Sequence, residues 1–171
     1  MHYTLDNSDI RDAVRKLCTK FPPSYWQQCD VNNAYPVEFV NKLTKEGYLA
    51  ALIPEEYGGS GLSISAAAAI LEEVHRSGGN ASACHAQMYT MGTLLRHGSE
   101  AQKTHFLPRI ADGSLRLQAF GVTEPTSGTD TAALKTVATD KGDHYLITGQ
   151  KIWTSRAEYS DLMILLARTT S

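Results

Sequence analysis

The chain has 171 residues, of which 42% are hydrophobic and 20% are charged, as in globular proteins with an apolar core. A formal net charge of -2, with no run of five like charges, argues against a nucleic-acid-binding surface. Three cysteines without CxxC spacing argue against a disulfide framework and favour a reducing compartment. Neither a signal-peptide pattern nor an apolar run of about 20 residues occurs, which predicts a cytoplasmic protein without a membrane span.

Helical signals run from the start of the chain to about residue 112. The segment NSDIRDAVRKLC offers Asn7 or Ser8 as an N-cap, followed by apolar residues at helical spacing. The segment YPVEFVNKL opens with Pro36 at a predicted first helical position. A third helix is predicted for SISAAAAILEEVHRSGG, which begins at a hydroxyl residue and stops at a glycine pair.

Two more helices follow in the same part of the chain. The segment SACHAQMYTMGTLLRHG is predicted to end at Gly98. In SEAQKTHFLPRI, Ser99 and Gln102 have capping-box spacing, and Pro108 is expected to break or kink the helix. Four to six helices in this span predict a small bundle.

After Gly113 the hydrophobic period drops to two. LRLQAFGVT and KTVAT are predicted strands, and TDKGDHYLITGQKIWTS is predicted to form a hairpin that turns at residues 140–143. The nearly all-apolar DLMILLART predicts a buried strand. Because a few strands with open edges are marginal alone, we expect an α+β chain. It comprises a helical domain over residues 1–113 and the opening part of a β domain over 114–171.

The loop VTEPTSGTD, residues 122–130, holds four hydroxyl residues, one glycine and one proline. Backbone N–H groups and hydroxyls that converge after a strand suit phosphate or the polar edge of a flavin. An ordinary turn with Pro125 and Gly128 would be built from much the same residues. The loop alone leaves both interpretations open.

Three segments together resemble the acyl-CoA dehydrogenases, flavoproteins that oxidise acyl-CoA thioesters between Cα and Cβ. They are GYLAALIPEEYGGSGL (47–62), VTEPTSGTD (122–130) and ITGQKIWTSRAEYSDLMILLART (147–169), and the resemblance covers nearly the whole chain. It implies a helical N-terminal domain, a β-barrel-like middle domain and a C-terminal helical bundle, with FAD between the last two. That bundle, which carries the family's catalytic glutamate, is expected to be absent here, so the resemblance assigns no catalytic residue.

The resemblance also implies a set of residues that bind the cofactor FAD: Phe120, Val122, Thr123, Thr129, Trp153, Thr154 and Ser155. Main-chain amides near Thr123, with its hydroxyl, would donate to the flavin's polar edge and stabilise the negative charge that reduction leaves there. Thr129 would lie near the FAD pyrophosphate and the substrate's pantetheine arm. The alternatives are strand packing for Phe120 and Val122, and core filling for Trp153.

Several positions depart from the family pattern or are expected to face away from the flavin. Thr126 and Ser127 replace a common Gly-Ala, so a positive φ at residue 126 would be unfavourable. Strand alternation predicts that Thr154 points away from the flavin, and Lys151 is expected to face solvent. Arg156 stands where asparagine is common.

On the helical side, the resemblance places Gln87, Met88 and Thr90 in the acyl pocket, although the same letters are typical of a buried helix face. Glu55, Glu56 and Glu124 lack the spacing of a paired acid and base. The histidines lack HExxH spacing, so no metal site is predicted.

The function predicted from the resemblance is FAD-dependent α,β-dehydrogenation of an acyl-CoA thioester, with the isolated chain inactive. Its expected partners are the acyl-CoA substrate, an electron-acceptor flavoprotein and further subunits of a homo- or hetero-oligomer. The alternative is a non-catalytic subunit that uses the same half-fold to bind a flavin, a CoA thioester or a partner. A flavin oxidase or monooxygenase also fits the loop.

Overall fold

A computed structural model describes residues 7–169 of the chain. The described chain divides into two compact units, the first ending at Arg116 and the second beginning at Leu117. The first unit is helical: α1 Ser8–Cys18, α2 Pro23–Val31, α3 Val37–Lys45, α4 Ile64–Arg76, α5 Ser82–His97 and α6 Glu100–Asp112. The second contains the strands β1 Leu117–Gly121, β2 Val137–Asp140, β3 Tyr145–Thr148 and β4 Leu162–Leu165. The predicted α+β class, helices first and strands after, is confirmed.

The helix ends show which sequence signals were sound. Ser99 and Gln102 form the predicted capping box, with the Ser99 hydroxyl accepting from the Gln102 N–H at 3.2 Å. Pro36 is the N-cap of α3 rather than its first helical residue. Helix α6 continues past Pro108 to Asp112, so the proline does not break it, and the expected alternative of a kink stays a prediction. Within the described residues no helix is long and apolar enough to cross a membrane.

Helix α2 was not predicted, because it has no residue in the buried class and hence no clear apolar period. Its aromatic side chains attach it to the rest of the unit instead. Phe21, Tyr25, Trp26 and Phe39 pack edge to face with ring centroids 4.8 to 5.2 Å apart. Aromatic contacts therefore hold α2 where a buried stripe is missing.

The core of the helical unit is apolar, and it includes Val14, Phe39, Leu43, Ile70 and Val74. One carboxylate, that of Glu73 on α4, is buried beside this core and accepts hydrogen bonds from Arg11 and Arg15 of α1 at 3.0 to 3.2 Å. Burial raises the pKa of Glu73, but the two guanidinium groups outweigh it and the pKa is lowered. The ion pairs thus join α1 to α4.

The strands of the second unit form two pairs. β1 pairs with β4 in parallel, and β2 pairs with β3 antiparallel through a turn in which the Lys141 N–H donates to the His144 carbonyl at 2.9 Å. The predicted hairpin is confirmed. β1 is buried at most positions rather than at every second one, and two of its neighbours on β4, Leu162 and Met163, are exposed. The expected burial of the last strand is therefore wrong, because β1 is its only partner strand among the described residues.

Candidate functional site

The two segments expected to face a flavin lie side by side in the second unit. The Ile152 N–H donates to the Thr123 carbonyl at 2.9 Å, and the Lys151 ammonium donates to the Val122 carbonyl at 2.9 Å. These contacts bring the end of β1 to the segment that contains Trp153. Residues separated by about thirty positions in sequence therefore share one small region.

Unpaired donors occur where β1 ends. Within residues 7–169, no protein group accepts a hydrogen bond from the main-chain N–H of Val122 or Thr123, or from the Thr123 hydroxyl. Both residues are half-buried. Partly buried main-chain donors without an internal partner are uncommon, and they are available to a ligand.

Trp153 lies at the surface of the second unit, with 84% of the residue exposed. Core filling, the alternative considered for this tryptophan, is therefore wrong among the described residues. Residues 151–154 form no strand, and Trp153 has a left-handed φ of 58°. The alternation used to direct Thr154 away does not apply, since it requires a strand. Thr154 is half-buried and Ser155 is exposed.

The loop after β1 is also a tight turn. Glu124 and Ser127 exchange main-chain hydrogen bonds at 2.8 and 3.3 Å, and the Ser127 hydroxyl donates to the Asp130 carbonyl. Thr126 is not among the residues with positive φ, so its side chain is tolerated without strain. Thr129 is exposed on this turn and Phe120 is half-buried in β1. The turn interpretation is thus compatible with the unpaired donors at Val122 and Thr123.

A buried ion pair joins the two segments, and the sequence analysis missed it. The side chains of Glu124 and Lys151 are 3% and 8% exposed, and their charged groups are 2.9 Å apart. The Glu124 carboxylate also accepts from the main-chain N–H groups of Lys135 at 2.6 Å and Thr136 at 2.9 Å. The expectation that Lys151 faces solvent is wrong, because its side chain is buried against Glu124. The sequence gives no local signal of this contact, because the two residues are 27 positions apart.

The groups around the Glu124 carboxylate decide its ionisation. The Thr136 hydroxyl beside it, the Lys135 amide and the Lys151 ammonium lower the pKa of Glu124 from 4.5 to about 2. A carboxylate with so low a pKa is a weak base at neutral pH. This agrees with the sequence analysis, which did not assign Glu124 as a catalytic base.

The three residues expected in the acyl pocket lie on α5 in the first unit, and all are buried. The Gln87 amide donates to the Leu49 carbonyl at 3.2 Å, and the Thr90 hydroxyl donates to the Ala86 carbonyl at 2.8 Å. Met88 contributes to the apolar core. This placement agrees with a buried helix face, and the pocket role of the three stays a prediction. In the part of the chain that the structure describes, no His, Cys, Asp and Glu side chains gather in a group of three that could hold a metal.

Comparison with known proteins identifies both units. Residues 4–114 match the family model of the acyl-CoA dehydrogenase N-terminal domain, and residues 119–171 match that of its middle domain. The chain is 36% identical over 166 residues to glutaryl-CoA dehydrogenase of Desulfococcus multivorans, an alignment that covers 94% of this chain and 42% of that protein.

Solved structures of similar proteins have the same fold. The chain matches glutaryl-coenzyme A dehydrogenase in its glutaryl-CoA complex with a TM-score of 0.86 and 32% identity, covering 99% of this chain and 44% of that one. It matches a chain of the ChsE4–ChsE5 complex of Mycobacterium tuberculosis with a TM-score of 0.83 and 33% identity, covering 99% and 44%. The chain thus spans less than half the length of the relatives it matches.

Proposed function

The chain belongs to the acyl-CoA dehydrogenase family, whose members are FAD-dependent flavoproteins, and we propose that it supplies the flavin-facing part of such an enzyme. The reaction is the oxidation of an acyl-CoA thioester between Cα and Cβ. The observation that carries the proposal is the adjacency of two segments, one with unpaired donors at Val122 and Thr123 and one with the exposed Trp153.

These residues fit the chemistry of FAD. The N–H groups of Val122 and Thr123 and the Thr123 hydroxyl can donate to the polar edge of the isoalloxazine, and the Trp153 indole offers a broad apolar surface to its rings. Bound FAD would supply the acceptor for the hydride that leaves Cβ. Fixed donors stabilise negative charge at the ring and so favour reduction. The exposed Thr129 hydroxyl suits the pyrophosphate or the pantetheine arm.

We propose, as the family resemblance implies, that the catalytic base of the enzyme comes from polypeptide other than residues 1–171. The carboxylate of Glu124, the residue that follows these donors in the chain, is held in its ionised form by the Lys151 ammonium and two amides. We therefore expect the isolated chain to bind flavin without turning over acyl-CoA. The proposed partners of the whole protein are an acyl-CoA substrate, an electron-acceptor flavoprotein and further subunits.

The test is FAD binding by the protein purified with every polypeptide that accompanies it. Flavin fluorescence should be quenched saturably, and Trp153→Ala and Thr123→Val should each weaken binding. Tyr145→Ala, which removes another exposed aromatic side chain from the same unit, should leave the affinity unchanged. A wild-type protein without saturable FAD binding, or Trp153→Ala with unchanged affinity, would contradict the proposal.

A second candidate function is a non-catalytic flavin- or CoA-binding subunit. It is favoured by the lack of an assignable base among residues 7–169 and by the similarity of the chain to one chain of a two-component complex. Addition of acyl-CoA to the FAD-loaded protein separates the two functions. Bleaching of the flavin absorbance supports the dehydrogenase, and an unchanged spectrum supports the non-catalytic subunit.

A further inference from the structure

We propose that the buried Glu124–Lys151 pair positions the two flavin-facing segments, by fixing the direction of the Thr123 N–H and anchoring the backbone before Trp153. The pair is thus a positioning device rather than part of the catalytic groups. Its effect on the flavin rests on the function proposed above, whereas its effect on the backbone does not.

One peptide group connects Lys151 to the unpaired donors. The Val122 carbonyl accepts from the Lys151 ammonium at 2.9 Å. The described chain has no cis peptide bond, so the Thr123 N–H points opposite to that carbonyl. Lys151 therefore directs this unpaired donor away from the ion pair, and a rotated peptide would lose the contact.

An ion pair holds the Lys151 ammonium in its buried position. A buried ammonium is unfavourable unless it is paired and hydrogen-bonded, and Glu124 supplies the opposite charge at 2.9 Å. Glu124 is itself held by the main-chain N–H groups of Lys135 and Thr136. The carboxylate thus holds the ammonium in place while linking the loop to the start of β2.

The aliphatic part of the Lys151 side chain is closely packed. A Cβ added to Gly121 would lie 3.4 Å from the Lys151 Cγ and 3.2 Å from the Met163 sulfur. The stem therefore runs along the end of β1, directly beside the donors. A shorter or branched side chain at residue 151 could not follow this path and still reach both acceptors.

The backbone conformation of Trp153 depends on the contacts of the two residues before it. A bulky residue at a φ of 58° is strained, and such a conformation persists only where its neighbours over-determine it. Both preceding residues are fixed, Lys151 by the ion pair and Ile152 by its hydrogen bond to the Thr123 carbonyl. Loss of the pair should therefore release Trp153 as well as the donors.

The experiment compares three variants of the protein as purified with its accompanying polypeptides. Lys151→Met keeps the stem and removes the charge. Glu124→Gln combined with Lys151→Met removes both buried charges of this pair, so it should fold nearly as well as the wild type while still lacking the contact to the Val122 carbonyl. Lys141→Met, in the exposed hairpin turn, is the matched control.

We expect the double variant to keep the unfolding midpoint within a few degrees but to bind FAD about ten- to a hundredfold more weakly, as when an outer supporting contact of a site is lost. Its bound flavin should also show a shifted visible absorption band. Lys141→Met should match the wild type in every measurement. A double variant with wild-type FAD affinity and spectrum would overturn the inference and leave the proposed function standing.

Amide hydrogen exchange tests the same inference without FAD. The Ile152 amide should exchange faster in Lys151→Met than in Lys141→Met. Unchanged exchange there overturns the positioning role, even if the wild type binds no flavin and the proposed function falls. The two failures are therefore distinguishable.

Discussion

A buried carboxylate lies in each unit of the molecule, and the two are held by different partners. Glu73 in the helical unit is paired with Arg11 and Arg15, whose side chains are 32% and 52% exposed. Glu124 in the β unit is paired with an ammonium that is itself buried, and with two main-chain amides. The ion pairs of Glu73 add to helices that already pack through an apolar core, whereas the pair of Glu124 joins loops that bury several polar side chains, Glu124, Ser127 and Thr136.

The difference indicates where each unit obtains its order. The helical unit encloses aliphatic and aromatic side chains, and its charged network lies at the edge of that core. The β unit leaves Tyr145, Leu146 and Ile147 on the surface and places polar groups inside. Truncation of a buried apolar side chain should therefore destabilise the first unit most. Loss of polar contacts, or of close packing at the loops, should destabilise the second.

The largest expected effect comes from one substitution made in both units. Ile70→Ala removes a fully buried side chain and should lower the free energy of unfolding by about 2 to 5 kcal/mol. Ile147→Ala on the exposed β3 should change it by less than about 0.5 kcal/mol. Urea unfolding followed by circular dichroism measures both. Similar losses would show that the β unit also depends on apolar packing.

A smaller loss is expected from crowding in the β unit. A Cβ at Gly149 would approach the Thr136 Cα to 2.7 Å, so Gly149→Ala should destabilise the protein by about 1 to 3 kcal/mol. Gly128→Ala is the matched control, because its added Cβ would meet no atom within 4 Å. Hydrogen exchange in residues 135–152 provides the measurement. Equal protection in both variants would contradict the close packing at Gly149.

The dependence of stability on acidic pH should distinguish Glu124 from a carboxylate with an ordinary pKa. The pKa of Glu124 is about 2 in the folded protein and 4.5 without these contacts, so its stabilising contribution is complete above pH 4.5 and is lost as the pH falls through about 2. The melting temperature of Glu124→Gln should fall less steeply over this range than that of the wild type. Parallel curves would show that Glu124 does not have this lowered pKa.

The smallest effect is expected from salt. Raising the ionic strength from about 0.1 M to 1 M shortens the Debye length from about 10 Å to 3 Å, and exposed charges are screened more than buried ones. The stability lost in Glu73→Gln should therefore shrink with salt more than the loss in Glu124→Gln, because only the former has exposed cationic partners. Thermal unfolding at both ionic strengths tests this difference, and an equal response would contradict it.

Local sequence signals predicted the elements whose determinants are local. The cap at Ser99, the glycine ends of the helices and the hairpin after β2 depend on residues within a few positions of one another. Helix α2 was not predicted, because its stabilising aromatic contacts reach residues outside the helix. The burial of Lys151 was not predicted for the same reason, since its carboxylate partner is 27 positions earlier in the chain.

The candidate site was predicted because three motifs occur together in the sequence, and not because the sequence indicates the geometry of the site. The segments around Thr123 and Trp153 were placed together by resemblance, and the structure confirms their adjacency through the Ile152–Thr123 hydrogen bond. No pattern of letters predicts that Trp153 lies outside a strand with a left-handed backbone, because that conformation depends on contacts at Lys151 and Ile152. The roles of the individual side chains toward a flavin stay proposals.

The backbone at Trp153 sets two selective pressures against each other. Glycine adopts a φ of 58° without steric conflict, whereas an aromatic residue there is held against its preference. A screen for soluble expression alone would therefore drift from tryptophan towards glycine at this codon. On the function proposed above, a screen for flavin content would retain the indole, so sequencing the survivors of both screens would show whether backbone strain or flavin binding determines the residue at position 153.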